Sequence, residues 1–326
     1  MKVIQCRVYI DKANEGSVIQ DRTSLLVWFL SVIKWKQLGY EPILYTDEIT
    51  KAEFDKLGLS QLYDEVIILD NFNNINKDVF WASAKIMSAK KFIEDNPNEE
   101  FIISDLDYIP LKDPKDFATS DDNIVVFYPE YLGMYAPVEN IKFNPDYVMP
   151  EFFTGTIDPI NTCMLYIQKN NLETFKKYLD IEEDFMNYHY DFINGSSAND
   201  LMTFIEQRLF AEYLATNKIN IDFVAPPTKS VFNVNGMHTG VYKSIEKVEY
   251  WKWIIWWMKL IKEADENTYE SIINLDIYKD FKEIIDNGKG EYTNKKDRTD
   301  IISDFNWDTL EYPRAFEDIY DPVWNS

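Results

Sequence analysis

The sequence predicts an α/β domain, a mixed sheet flanked by helices, on three observations. Short apolar runs of strand length alternate with helix-period segments through the first half of the chain. Turn and cap residues separate them, notably Gly39, Gly58 and Asn96-Pro97. One run, Phe101–Ser104, leads directly into Asp105-Leu106-Asp107, where a buried strand would surface at the edge of a sheet.

In chain order, Val3–Ile10 reads as the first strand. Asp21-Arg-Thr-Ser then leads into Leu25, Leu26, Phe29, Leu30, Ile33 and Leu38, one apolar helix face ended by Gly39. Pro42–Tyr45 completes a β-α-β unit. A helix over Lys51–Leu57 stops at Gly58, Glu65–Leu69 is the third strand, and a helix runs from Asp78 to Glu94. Phe101–Ser104 and Ile124–Tyr128 continue the strand series. Residues 129–158 lose periodicity and read as a loop over the substrate side. Asn161–Gln168 and Ile219–Val224 resume as strands, with helices over Leu172–Leu179 and Asp200–Thr216 between them. Residues 251–262, dense in Trp, are too short to cross a bilayer and are expected as a helix packed on the sheet. Residues 288–300 read as a flexible polar connection. The expected organisation is a catalytic domain over 1–245 and a helical, aromatic-rich extension over 246–326.

Composition narrows the function. A net charge of −23 argues against sequence-independent binding to nucleic acid or anionic lipid, both of which need clustered Lys and Arg. The 46% hydrophobic and 16% aromatic content is ample for a core at 326 residues. Cys6 and Cys163 sit in apolar runs and read as free buried thiols of a reducing compartment, so a cytoplasmic location is expected. The N-terminus looks like a strand and not a signal peptide, no segment reaches transmembrane length, and peripheral membrane contact is not favoured.

With 56 Asp and Glu in the chain, an Asp-x-Asp pair carries weight only through its context. In an extended segment Asp105 and Asp107 lie on one side and Leu106 points back to the core, with Pro110 read as a stiff turn beyond them. Only two histidines occur, His189 and His238. His238 lies in a loop in which Gly236 and Gly240 permit close backbone approach and Lys243 brings a positive charge. Two carboxylates and an imidazole make a mixed O/N ligand set suited to Mn2+ or Mg2+. His189, among aromatic and carboxylate neighbours, reads equally as structural or acceptor-facing.

Together these residues resemble the GT-A fold of nucleotide-sugar glycosyltransferases, most closely the family-8 kind typified by glycogenin and bacterial lipopolysaccharide galactosyltransferases. The resemblance covers roughly residues 1–245 in order and spacing. It implies that Asp105, Asp107 and His238 bind the metal and that Lys85, in Phe-Trp-Ala-Ser-Ala-Lys-Ile, contacts the donor. It implies further that Asn161 lines the donor sugar, although the family's following glycine is absent, and that Glu206-Gln207 stands for an Asp-Gln pair at the reacting carbon. His238-Thr-Gly240-Val-Tyr-Lys243 is similar to the family's late His-x-x-Gly-x-x-Lys-Pro-Trp element, one residue shorter and without Pro-Trp. Tyr9, at the end of the first strand, is the candidate for stacking on the base.

The resemblance implies a hexosyltransferase with a UDP-sugar donor, a carbohydrate or other hydroxyl acceptor, and retention of configuration. The residues themselves leave the base open among Glu206, Asp191 and Asp200, and name neither sugar nor acceptor. Tyr128, Tyr131, Tyr135, Phe152 and Phe153 read equally as stacking platforms for a carbohydrate or as loop anchors. Two other classes compete. Haloacid-dehalogenase-like phosphatases also place Asp-x-Asp after an apolar strand, but Tyr108-Ile109-Pro110 lacks their Gly-Thr and the strand comes fourth instead of opening the domain. An inactive carbohydrate-binding scaffold is opposed by the intact Asp105, Asp107 and His238.

Overall fold

The computed structural model describes residues 1–10, 22–69, 76, 79–191, 198–225, 232–233, 235–239, 250–293, 299–302 and 305–306. β1 (Lys2–Arg7), β2 (Glu41–Thr46), β3 (Glu65–Ile68) and β4 (Phe101–Ser104) run parallel, with β1 at the centre of the four. β7 (Met164–Ile167) pairs antiparallel with both β4 and β6 (Ile124–Val126), and β8 (Ile221–Phe223) closes the edge. The sheet order is β3-β2-β1-β4-β7-β6-β8, so the expected mixed α/β sheet is present. The strand that leads to Asp105 is buried at all four of its residues, as a strand covered on both faces must be.

Helices cover both faces. On one face lie α3 (Ser83–Asp95), α4 (Leu172–Tyr188), α5 (Ala198–Thr203) and α6 (Phe210–Thr216), around Phe92, Phe101, Phe175 and Phe210. On the other lies α1 (Arg22–Gln37), beside α2 (Glu48–Leu57). Asp47 caps α2, its carboxylate accepting from the Thr50 N–H at 2.8 Å and also from the Tyr9 N–H at 2.7 Å. Gly58, at φ 76, ends α2 in the left-handed region.

The single apolar face expected of α1 is incomplete. Leu25 through Leu30, Val32, Ile33 and Trp35 are all buried, because α7 (Tyr250–Ala264) packs on the outer side of α1. The Trp-rich helix therefore adds a layer over α1 and does not lie directly on the sheet. With α8 (Glu266–Ile273) and α9 (Lys279–Asn287) it forms the C-terminal extension; the expected boundary at residue 245 lies outside the described residues. None of the described helices is long and apolar enough to cross a membrane.

Several element ends differ from expectation. α2 begins three residues earlier and α3 five residues later than read from the pattern, and α4 runs to Tyr188. Residues 288–300 are not simply a flexible connection: β11 (Gly290–Thr293) pairs antiparallel with β12 (Thr299–Ile302), and Tyr292 is buried against Phe281. The irregular stretch 129–158 is held down at both ends. Pro129 bridges Ile160, and buried Glu212 on α6 accepts from the Thr154, Thr156 and Ile157 N–H groups.

Candidate functional site

The metal-ligand candidates stand where two sheets meet. After β4 the chain makes a tight turn, the Tyr108 N–H donating to the Asp105 carbonyl at 3.2 Å, and enters β5 (Tyr108–Pro110), an edge strand of a second, three-stranded sheet. The extended Asp105–Asp107 segment expected from strand alternation is thus a turn, and Pro110 lies within a strand, paired with Gly236. The change of direction between the sheets requires both. Leu106 is buried in the core beneath α1, as expected.

β10 (Gly236–His238) runs antiparallel to β5 with His238 opposite Tyr108, and β9 (Phe232–Asn233) lies on its far side. The Thr239 N–H donates to the Asp107 carbonyl at 2.8 Å. This register carries the imidazole to the turn: His238 Nε2 is 3.6 Å from Asp107 Oδ1. One ligand atom each from Asp105, Asp107 and His238 lie within 4.8 Å of one another. Ligands about 2.0–2.3 Å from one divalent ion stand about 3–4.5 Å apart, so this donor set fits a hard or borderline cation.

Buried polar groups from β1 and α1 fix the turn from below. Gln5 Nε2 donates to Ser31 Oγ at 2.9 Å and to the Asp105 carbonyl at 3.2 Å. Its carbonyl oxygen accepts from Tyr63 at 2.9 Å. Ser31 Oγ donates to the Tyr108 carbonyl at 2.6 Å and Trp35 Nε1 to Ser104 Oγ at 3.2 Å. A fully bonded buried network of this kind rigidifies what it holds.

Lys85, on the first turn of α3, is 7% exposed. Its ammonium reaches Asp105 Oδ1 at 2.8 Å, the Thr162 carbonyl at 3.1 Å and Glu206 Oε1. Burial alone would lower its pKa, but Asp105 and Glu206 outweigh this and hold it well above the ordinary lysine value. Burial raises the Asp105 pKa to about 7, with Asp107 and Glu206 adding to the rise and Lys85 opposing it. A cation at this place relieves the repulsion among the carboxylates.

Glu206 and Gln207 sit in a π-turn, Phe204–Leu209, between α5 and α6. The widened turn sends the adjacent side chains to different partners: Glu206 pairs with Lys85, whereas the Gln207 amide lies at hydrogen-bond distance from the Tyr135 hydroxyl. Asn161 Nδ2 donates to Tyr128 Oη at 3.0 Å and Glu130 Oε1 at 2.8 Å, and its carbonyl oxygen accepts from the Cys163 N–H. The structure therefore brings Asp105, Asp107, His238, Lys85 and Glu206 together, and links Asn161 and Gln207 through Glu130 and Tyr135.

Two residues in this region escaped the sequence reading. Glu130 is buried, takes hydrogen bonds from Asn161 and Tyr135, and has its pKa raised by burial to about 7 against the pull of Asn161 and Tyr128. Its signal was a lone acid between aromatics in Tyr-Pro-Glu-Tyr. Arg7, the last residue of β1, lies with its guanidinium 5.4 Å from the Trp28 ring; burial lowers its pKa while Cys6, Asp107 and Asp47 oppose.

The other candidates separate. Tyr9 is half-buried just beyond β1, against the cluster beneath α1. Gly240 and Lys243 lie outside the described residues. His189 is structural: it caps α4, its Nδ1 is 2.8 Å from the Phe185 carbonyl, and its ring stacks on Phe185 at 4.2 Å. Asp191 is exposed. Phe152 and Phe153 pack on Tyr213 and Phe204 as anchors, while Tyr128 and Tyr135 belong to the polar cluster.

No protein-family model and no curated protein matches the chain. Among solved structures it is similar to the galactosyltransferase LgtC in complex with donor and acceptor sugar analogues, at 8% identity and TM-score 0.37, over 68% of this chain and 73% of that one. It is similar to mouse xyloside xylosyltransferase 1 at 12% identity and TM-score 0.37, over 68% and 85%. The PaToxG glycosyltransferase matches at 12% identity and TM-score 0.31, over 85% and 84%.

Proposed function

We propose that this protein is a metal-dependent glycosyltransferase that moves a sugar from a nucleoside diphosphate, UDP being the expected carrier, to a hydroxyl acceptor with retention of configuration. The observation that carries the reading is the convergence of Asp105, Asp107 and His238 beside the buried Lys85–Glu206 pair. Mn2+ or Mg2+ held there would neutralise the diphosphate as its glycosidic bond breaks. Asp105 and Asp107 would hold the ion from the turn and His238 from β10. Lys85 keeps Asp105 and Glu206 in place, and Glu206 and Gln207 face the sugar. Asn161 and Glu130, buried and bonded to each other, would hold Tyr128 and Tyr135 in place beside the sugar. Arg7 and, by resemblance, Gly240 and Lys243 bring further diphosphate contacts, with Tyr9 against the base.

A donor-hydrolysis screen over UDP-sugars tests this without knowledge of the acceptor. Release of UDP is expected with Mn2+ and is expected to stop with chelator. A scaffold would show no Mn2+-dependent rise in Tm with any nucleotide. A phosphatase of the competing class would release inorganic phosphate and would survive His238→Ala.

A further inference from the structure

Behind the Lys85–Glu206 pair lies a narrow cavity with room for a water, walled largely by apolar groups such as Phe175 and Leu179. Besides Lys85, four polar residues line it: Tyr178 and Glu182 from α4, Thr162 just before β7 and Glu206 from the π-turn.

Glu182 is the anomaly among them. It is 4% exposed, and its carboxyl hydrogen-bonds to none of the described residues. An ionised carboxylate so placed is strongly disfavoured. Burial pushes its pKa well above the usual carboxylate range, with Glu206 adding to the rise and Lys85 opposing it. The group is then a neutral acid with one O–H to donate.

Its neighbours decide where that proton can go. Lys85 has donors only, and directs them to Asp105, Glu206 and Thr162. Tyr178, one helical turn before Glu182, gives its own proton to the Ile205 carbonyl. Glu206 has acceptor capacity left, because Lys85 takes Oε1 and leaves Oε2.

We propose that Glu182 is a positioning residue that holds Glu206 through one buried water, the Glu182 acid donating to the water and the water donating to Glu206 Oε2, with Thr162 at the same cavity wall. The bridge tethers Glu206 from behind, so that Glu206 and Asp105 share the Lys85 ammonium. Without it Glu206 turns away and Lys85 closes on Asp105, competing with a cation for that carboxylate. This consequence for the cation rests on the metal-dependent reading above; the bridge itself does not.

The test uses the full chain. A high-resolution crystal structure is expected to place an ordered water within hydrogen-bond reach of both Glu182 and Glu206. The infrared difference spectrum between wild type and Glu182→Gln is expected to contain the carbonyl band of a buried protonated acid. A dry cavity or an ionised Glu182 overturns the proposal. Calorimetric titration with Mn2+ alone reads the consequence. Glu182→Gln, which keeps a donor in place, should retain affinity within about twofold, whereas Glu182→Leu should lose about tenfold while its Tm rises. Unchanged affinity in Glu182→Leu, with wild type binding normally, also overturns the proposal. If wild type takes up no Mn2+ although the water is in place, the metal reading fails and the bridge stands.

Discussion

Tyr108 and His238 face each other across an antiparallel pair, and this pairing sets the imidazole beside the Asp107 carboxylate. The backbone carbonyl of Asp107, not its side chain, ties the two strands, through the Thr239 N–H and hydroxyl. Asp107→Ala therefore leaves the hairpin bonded. Mn2+ binding by calorimetry and donor hydrolysis should both be lost, with the circular dichroism spectrum unchanged. Unaltered turnover in this variant would remove Asp107 from the metal site.

The same pairing has little room. A methyl group on Gly236 would stand 2.6 Å from the Tyr108 hydroxyl and 3.1 Å from the Phe127 ring. Gly236→Ala should cost about 1–3 kcal/mol of stability by overpacking and weaken Mn2+ binding by shifting His238. Adding Tyr108→Phe removes the hydroxyl that the methyl meets, so the double variant should recover part of the lost denaturant midpoint. No recovery would place the strain elsewhere.

Lys85→Met strips the compensating charge from Asp105 and Glu206. Leaving a buried charge without its partner typically costs about 3–5 kcal/mol, so the urea midpoint should fall sharply. Adding Glu206→Gln should restore much of the stability but none of the transfer activity. Equal instability of the single and double variants would argue against the ion pair as the cause.

Glu130 gives a pH signature. Its folded-state pKa of about 7 lies above the ordinary 4.5, so the folded protein binds the proton more tightly than the unfolded chain. The stabilisation is complete below pH 4.5 and disappears as pH rises through about 7, an effect of order 3 kcal/mol at most. Glu130→Gln lacks this dependence. The stability difference between wild type and variant, from urea titrations at pH 5 and pH 8, should move in favour of the variant at the higher pH.

The frame of the fold was legible in the sequence because long patterns carry it. β4 lies at the expected Phe101–Ser104, α1 ends just before Gly39 as expected, and the helix expected over Asp200–Thr216 is present as α5, the π-turn and α6 in succession. The convergence of Asp105, Asp107 and His238 was legible through the order of the motifs. The device that achieves it was not, since strands of two or three residues such as β9 and β10 show no periodicity, and Pro110 argued for a turn. The burial of α1 all round depends on α7, more than two hundred residues later in the chain, which no local window includes. Glu130 and Glu182 were hidden for a related reason: among 56 acidic residues, only three-dimensional packing distinguishes the few that are enclosed.

Since β5 pairs directly with β10, the intervening chain is a closed excursion that departs from the Asp105–Asp107 turn and comes back to it. That excursion carries β6, β7 and β8 of the main sheet together with Asn161 and Glu206, and it braces the same turn a second time, through the pairing of β7 with β4 and the Asp105 N–H bond to the Cys163 carbonyl at 2.7 Å. Displacing Asp107 from His238 therefore means disturbing two ladders at once, β5 with β10 and β4 with β7, one from each sheet.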